Sequence, residues 1–138
     1  MKQTVYLAGG FKTNWARAVM SSSDGFNWVN PKDKEYSNGE RVTMGVDEYG
    51  KWDLHFIKMS DIVFVYVERT NPSCIGLSCE AGYAKALGKT VITVLEPGHE
   101  TIQDTSLAFI SQVSDIVFDS LQDGISYLKS FAIPSYNR

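Results

Sequence analysis

The sequence is poor in the residues that build metal sites and disulfide frameworks. Cys74 and Cys79 are its two cysteines, and its 138 residues include two histidines. The cysteine spacing fits no zinc motif, and a disulfide across little more than one helical turn would be strained. We therefore interpret both cysteines as reduced thiols and expect neither a metal nor a cofactor.

Long apolar runs and targeting signals are also missing. No stretch approaches the roughly 20 apolar residues that span a bilayer. The N-terminus enters a strand-like run without the long apolar region of a signal peptide. These absences predict a cytoplasmic protein without a membrane partner.

Positive charge is too sparse for nucleic acid to be the main partner. The net charge is −3, the isoelectric point is near 5.3, and no basic stripe is present. Gly9 and Gly10 follow the first predicted strand, but the third glycine of a dinucleotide fingerprint is absent. A P-loop is also absent, which argues against magnesium-dependent phosphoryl transfer. The expected partner is a small molecule.

The size and composition predict a single domain over residues 1–138. A hydrophobic fraction of 43% and a charged fraction of 21% are typical of an ordinary globular protein with a sizeable core. No internal repeat or linker interrupts the chain.

Predicted strands and helices alternate along the chain. This order predicts an α/β fold: a flavodoxin-like or Rossmann-like five-stranded parallel sheet in the order 2-1-3-4-5, with helices on both faces. Its switch point lies between strands one and three, where the loops 9–12 and 68–79 meet. The predicted strands are 4–8, 26–29, 62–67, 90–95 and 115–118, and the predicted helices are 14–22, 46–59, 74–88, 101–112 and 120–131.

The polar segment from Lys32 to Gly45 has no clear period and begins at the carboxyl end of the second strand. Open α/β sheets bind ligands at that edge. We therefore favour a loop that covers the substrate over plain surface filler.

Glu80 is the most informative residue in the sequence. At helical spacing it shares a stripe with small or apolar residues, and Gly88 follows as the expected C-cap. We place Glu80 near the helix start, where the macrodipole favours a negative charge, and Gly76 leaves room above it for a ligand. The alternative is a structural acid that suits the dipole or forms an ion pair. The stripe comprises Gly76, Glu80, Tyr83, Ala84 and Leu87.

Asp53 is a second acid on an apolar stripe, formed with Tyr49, Trp52, Phe56 and Ile57. The alternative is that it reaches solvent at the edge of the stripe. Two carboxylates in one cleft suggest retaining glycosyl transfer. In that reaction one carboxylate attacks the anomeric carbon, and the other transfers protons or binds substrate hydroxyls.

Three segments resemble the nucleoside 2-deoxyribosyltransferases and their N-glycosidase relatives. They are the strand end Tyr6–Phe11, the Asp-Leu-x-x-Ile helix that runs into a strand over Asp53–Val63, and the pattern Gly-x-x-x-Glu-x-Gly-Tyr-Ala-x-x-x-Gly-Lys over Gly76–Lys89. Asn30, before Pro31, also looks like the transferase branch.

The resemblance implies roles for individual residues. Glu80 would attack C1′ and hold the sugar covalently, and Asp53 would contact base or sugar and assist proton movement. Either Phe11 or Trp52 would stack on a base. The implied substrate-binding residues are Tyr6, Gly9, Gly10, Phe11, Asn30, Trp52, Ser73, Cys74 and Gly76.

The family resemblance also implies a homo-oligomer in which C-terminal residues such as Tyr136 and Asn137 lie near a neighbouring site. Two positions depart from the transferase pattern. Cys74 stands where transferases often carry Asp and monophosphate hydrolases Ser, and Ile116 stands where transferases carry Asn.

Three functions therefore stay open. The first is transfer of deoxyribose from a 2′-deoxynucleoside to another base. The second is hydrolysis of a nucleoside or deoxynucleoside 5′-monophosphate, whose phosphate could meet Lys12, Arg17, Arg69 or the glycine amides. The third is a nucleotide-binding module without catalysis.

Overall fold

The computed structural model describes residues 2–37, 40–41, 44–70, 75–98 and 104–133. Its helices and strands alternate as predicted. The strands are β1 (Gln3–Gly9), β2 (Phe26–Val29), β3 (Tyr36–Ser37), β4 (Glu40–Arg41), β5 (Ile62–Val67), β6 (Thr90–Leu95) and β7 (Ile116–Phe118). The helices are α1 (Trp15–Ser21), α2 (Val46–Lys58), α3 (Ile75–Ala86), α4 (Asp104–Val113) and α5 (Leu121–Lys129), and a short 3₁₀ helix spans Pro31–Glu35.

The main sheet confirms the predicted topology. Five parallel strands lie in the order β2-β1-β5-β6-β7, which is 2-1-3-4-5 when the sheet strands are counted along the chain. Strand β1 pairs with β2 through Gln3 opposite Phe26, and with β5 through Val5 opposite Ile62. The chain order reverses between β1 and β5, so the switch point lies between these strands.

Side chains alternate between the two faces of the sheet, and each face has its own core. Tyr6 of β1 and Val65 of β5 pack with α2, α3 and α4, whereas Leu7 of β1 and Phe64 of β5 pack with α1 and α5. All six side chains of β5 are buried, as expected for a central parallel strand. The core thus separates into two layers, one on each face of the sheet. A side chain near a strand end points towards one face or the other.

The end of α3 matches the prediction closely. Gly88 adopts a positive φ of 74°, which a residue with a side chain rarely adopts. The Lys89 N–H donates to the Ala84 carbonyl at 3.0 Å, and the Gly88 N–H donates to the Lys85 carbonyl at 3.0 Å. These two bonds form a Schellman motif that ends the helix.

Other local predictions require correction. Helix α1, predicted over residues 14–22, spans Trp15–Ser21, and Asn14 stands at its N-cap position without a capping hydrogen bond from its side chain. Leu87, placed on the buried stripe of α3, is 40% exposed because the buried face of this helix is formed by Leu77, Ala81 and Ala84. The segment after β2, predicted without regular structure, contains the 3₁₀ helix and the antiparallel pair β3–β4.

Two features are missing from the described residues. No helix among them is long and apolar enough to cross a membrane. The same residues hold no group of three or more His, Cys, Asp or Glu side chains arranged to bind a metal ion. Cys79 is an exposed free thiol.

Candidate active site

Glu80 carries a buried carboxylate that lacks a partner. Its Oε2 atom is buried and accepts no hydrogen bond. Burial raises the pKa of Glu80 to about 7, and the negative charge of Asp53 acts in the same direction. The Tyr6 hydroxyl and the positive charge of Lys34 act in the opposite direction and lower this pKa. Glu80 can therefore change its charge near neutral pH.

Tyr6 lies between the two predicted carboxylates. The residue is fully buried, and burial together with the charges of Glu80 and Asp53 raises the pKa of its hydroxyl far above the usual range. Its oxygen is close enough to both acids for their charges to raise the pKa of the phenol, yet it makes no hydrogen bond of good geometry with the described residues. The phenol stays neutral, so it is a potential donor to a carboxylate or to a ligand.

Asp53 has the partner that Glu80 lacks. The Lys34 ammonium donates to Asp53 Oδ1 at 2.7 Å, and only 10% and 18% of the two side chains are exposed. The same ammonium lies 5.0 Å from the ring centroid of Tyr49 and 5.5 Å from that of Trp52. Asp53 is thus an ion-paired acid whose partner cation lies over two aromatic rings.

Lys34 is the site residue that the sequence prediction missed. It lies in the 3₁₀ helix that follows β2, within the segment interpreted as a substrate cover. Its position at the carboxyl edge of the sheet was the available signal. Nothing in the local pattern distinguished it from the neighbouring Lys32, because the contact that defines its role is made across 19 positions of sequence.

The prediction that the helix dipole stabilises the negative charge of Glu80 is wrong. Helix α3 begins at Ile75, so Glu80 lies in its second turn, and the first turn contains no acidic residue. The free N–H groups of a helix belong to its first turn and cannot reach that far. Burial, and not the dipole, dominates the ionisation of Glu80. The alternative of an ion pair also fails for Glu80 among the described residues, since the pair in this cleft belongs to Asp53.

Gly76 leaves space beside the Glu80 carboxylate. A Cβ atom placed on Gly76 would have Glu80 Oε1 as its nearest neighbour, at 4.0 Å. Gly76 itself is exposed at the start of α3. The buried carboxylate therefore has an open side, which a small ligand could enter.

Trp52 is poorly placed to stack on a base. Its ring packs on Phe56, with 4.3 Å between the ring centroids, and the Lys34 ammonium lies over it. A base would have to displace one of these neighbours. Phe11 is 46% exposed and has no such competitor among the described contacts.

Gly9 and Gly10 serve packing needs in this structure. A Cβ atom on Gly9 would lie 2.4 Å from the Trp15 ring, so this glycine allows β1 to pass close to α1. The Gly10 carbonyl accepts a hydrogen bond from Trp15 Nε1 at 2.8 Å. The close approach of Trp15 explains Gly9 without a ligand, whereas any residue at position 10 could offer the carbonyl that Trp15 uses.

A small cavity of about 50 Å³ brings together Phe11 and Asn30 from the loops after β1 and β2. Arg17 and Lys32 supply positive charge at its wall. The Asn30 Oδ1 atom accepts the Lys32 backbone N–H at 3.2 Å, which fixes the amide beside the cavity. The predicted residues thus form two groups: Tyr6, Asp53, Glu80, Gly76 and Trp52 in one, and Gly10, Phe11 and Asn30 in the other.

Some predictions concern residues outside the described part of the chain. These residues are Ser73, Cys74, Tyr136 and Asn137. Their proposed roles in substrate binding and in a neighbouring site stay predictions. Ile116, where transferases carry Asn, is half-buried in β7 against the α1 and α5 side of the core.

A family model described as "Nucleoside 2-deoxyribosyltransferase like" matches residues 2–97. The chain belongs to this nucleoside 2-deoxyribosyltransferase-like family. The matched segment runs from β1 through β6, so it includes Tyr6, Lys34, Asp53 and Glu80. No curated protein sequence matches the chain significantly.

Solved structures share the fold of this nucleoside 2-deoxyribosyltransferase-like chain. A conserved protein from Enterococcus faecalis has a TM-score of 0.73 at 12% identity, covering 94% of this chain and 99% of that one. The CMP N-glycosidase BcmB from Clostridium botulinum has a TM-score of 0.62 at 19% identity, covering 93% and 99%. A 2-deoxyribosyltransferase from Bacillus psychrosaccharolyticus has a TM-score of 0.66 at 22% identity, covering 93% and 95%.

Proposed function

We propose that this protein cleaves the N-glycosidic bond of a 2′-deoxynucleoside and transfers the sugar to another base. The observation that carries the proposal is the Glu80 carboxylate, which is buried, unpaired and open on the Gly76 side. Family membership and the similarity to a 2-deoxyribosyltransferase and a CMP N-glycosidase support the same class of reaction.

In the proposed reaction, an oxygen of ionised Glu80 attacks C1′ of the sugar. The C1′–N bond breaks, its electron pair leaves with the first base, and that base takes up a proton. The product of this step is a glycosyl ester of Glu80. A nitrogen of the second base then attacks C1′, the ester bond breaks and restores the carboxylate, and the second base releases its N–H proton to the solvent.

Ionisation of Glu80 controls the first step. With a pKa of about 7, a substantial fraction of the unliganded protein carries the attacking carboxylate at neutral pH. Lys34 and Tyr6 favour the ionised form, whereas Asp53 and burial oppose it. A buried, weakly solvated carboxylate loses little hydration when it attacks, which suits a nucleophile.

Asp53 and Lys34 act together in this proposal. Asp53 contacts the base or a sugar hydroxyl through Oδ2, while its Oδ1 stays bonded to Lys34 at 2.7 Å. Lys34 offsets the second negative charge near Glu80, so that both acids can be ionised in one cleft. Because Asp53 is ionised, the proton for the departing base comes from water, and Asp53 Oδ2 accepts that proton and passes it to the base.

Hydrolysis of a nucleoside 5′-monophosphate is the second candidate. One observation favours it: Arg17 and Lys32 line the cavity that also contains Phe11 and Asn30. A phosphate there would meet cationic side chains. Water would replace the second base and attack C1′ of the glycosyl ester.

We also propose that the protein assembles as a homo-oligomer whose C-terminal residues approach a neighbouring site. The family resemblance motivates this proposal, and Ile75 and Phe109, which are 78% and 67% exposed, offer apolar surface for contact. Sedimentation velocity tests it, and a monomer at micromolar concentration would contradict it.

The test is a panel of deoxynucleosides and their 5′-monophosphates, each incubated with and without a second base. Base exchange is expected with deoxynucleosides, and intact-mass spectrometry after acid quenching should show one added deoxyribosyl group. Release of base from monophosphates alone would favour the hydrolase. Glu80→Gln should lose both signals, whereas Glu48→Gln, the same change on an exposed residue of α2, should keep them.

A further inference from the structure

A second polar pocket lies at the carboxyl edge of the sheet, on the side of α1 and α5. Tyr66 belongs to that core layer, and Glu68 follows it by two residues, so both side chains leave the strand on the face opposite to Tyr6 and Glu80. The pocket has a volume of about 360 Å³. Its lining residues are Thr13, Tyr66, Glu68, Arg69, Thr70, Glu96 and Pro97.

Glu68 is the buried acid of this pocket. The residue is 3% exposed, and its Oε1 atom has no hydrogen-bond partner. Its Oε2 atom accepts the Thr13 hydroxyl at 3.2 Å. A buried carboxylate oxygen without a donor is costly, so the arrangement calls for a donor that enters the pocket.

Glu96 and Tyr66 supply further acceptors. Glu96 Oε1 accepts the Arg69 backbone N–H at 2.8 Å, which fixes the second carboxylate at the pocket wall. Burial and the neighbouring Glu96 and Glu68 raise the pKa of Tyr66 above its usual range, so its hydroxyl stays protonated. Tyr66 can donate to Glu96 and still accept from a ligand.

No resident cation neutralises these two acids within the described structure. The ion pairs found there are Lys34–Asp53 and Lys85–Asp115, both elsewhere. Arg69 contributes to the wall, but its side chain lies along Gly98, where an added Cβ would be 3.3 Å from Arg69 Cδ. Two carboxylates that form no ion pair among the described residues outnumber the one arginine in the wall, so the pocket should attract a positive group more readily than a phosphate.

The shape of the pocket favours an organic cation over a bare metal ion. Its volume far exceeds that of a bare ion, and the described residues provide no cluster of three metal-binding side chains. A primary ammonium presents three N–H donors on a short stem. That number matches Glu68 Oε1, the Glu96 carboxylate and the Tyr66 hydroxyl.

We propose that this second pocket binds a small organic cation through a primary ammonium group, with Glu68 as its principal acceptor. The pocket and the Glu80 cleft face opposite sides of the sheet. The proposal therefore does not depend on the reaction proposed for Glu80, and it can be tested without turnover.

The experiment follows the backbone amide of Arg69 by two-dimensional ¹H–¹⁵N NMR, because that N–H is bonded to Glu96. The full chain is titrated with n-butylammonium chloride, and separately with tetramethylammonium, potassium and calcium chlorides at equal ionic strength. A saturable shift of the Arg69 signal is expected with n-butylammonium alone. Tetramethylammonium lacks N–H donors and should leave the signal in place.

Glu68→Gln keeps the size of the side chain and removes its charge. It should weaken n-butylammonium binding at least about tenfold, since a charge-assisted hydrogen bond is replaced by a neutral one. Glu48→Gln is the matched control and should bind normally. If Glu68→Gln does not fold, Glu96→Gln serves in its place with the same expected direction. Absence of a saturable shift, equal affinity in the Glu68 variant, or a response to calcium or potassium alone would overturn the proposal.

Discussion

Helices α2 and α3 each contribute one acid to the same cleft, but the surroundings of the two acids differ. Asp53 on α2 is ion-paired to Lys34 at 2.7 Å, with the cation held against Tyr49 and Trp52. Glu80 on α3 has a buried oxygen without a partner and a pKa raised to about 7. Both are acids on apolar stripes in the sequence, and only the fold distinguishes the paired acid from the reactive one.

The difference shows how two neighbouring carboxylates acquire different roles. A cation beside Asp53 stabilises its charge, whereas burial destabilises the charge of Glu80. A poorly stabilised anion with open space beside it is suited to form a covalent bond. A well-stabilised anion is suited to hold a substrate group in place.

The largest expected effect concerns turnover. Glu80→Gln should reduce kcat/KM by on the order of 10⁴-fold, because the glycosyl ester can no longer form. Steady-state base-exchange rates measure the loss, and Glu48→Gln serves as the matched control. Activity within tenfold of the unmodified protein would contradict the nucleophile assignment.

Neutral substitutions of the two acids should change the free energy of unfolding at pH 8 in opposite directions. The pKa of Glu80 rises from an ordinary 4.5 to about 7 on folding, so the folded state holds the proton more tightly. The stability that this proton provides is complete below pH 4.5 and is lost as the pH rises through 7. Glu80→Gln should therefore raise the free energy of unfolding at pH 8 by as much as about 3 kcal/mol, and by almost nothing at pH 4.

Asp53→Asn should instead lower the free energy of unfolding at pH 8 by about 1 to 2 kcal/mol, because the nearly buried Lys34 ammonium loses its ionised partner. Urea unfolding at both pH values measures the two variants side by side. If both variants changed the free energy of unfolding in the same direction at pH 8, the proposed contrast between the two acids would be refuted. Asp47→Asn, an exposed change in the first turn of α2, should have little effect.

The smallest expected effect is a shift in the pH profile. The kcat/KM of the unmodified protein should rise with pH around an inflection near 7, as Glu80 ionises. Lys34→Met removes a charge that lowers the pKa of Glu80, so the inflection should move to higher pH. If the inflection stayed at the same pH or moved to lower pH, Lys34 would not act on the ionisation of Glu80. Lys58→Met, an exposed change in the last turn of α2, is the control.

Much of the fold could be predicted because its signals are local. The β5 run of six apolar residues and the Gly88 C-cap depend on neighbours in sequence. Strands β2, β5 and β6 begin and end where the sequence predicts. The pairing order follows from alternating strands and helices, which leave few other topologies.

The site was harder to predict because its decisive contacts join distant segments. The sequence singled out Glu80 and Asp53 as misplaced acids, but it could not tell that Lys34 would pair with one and not the other. The dipole argument for Glu80 failed because the start of α3 at Ile75 puts a full turn between the helix end and the acid. Glu68 gave no signal either, since a strand-end acid is ordinarily solvated.

Strand β5 lies between the Glu80 cleft and the second pocket, because its odd-numbered residues face α3 and its even-numbered residues face α1 and α5. Deleting one residue within β5 would reverse this alternation and exchange the surroundings of Tyr66 and Val67. Substitutions can alter either pocket separately, but a change in strand length would alter both at once. Relatives of this chain should therefore vary in the length of their loops while keeping the length of β5 constant.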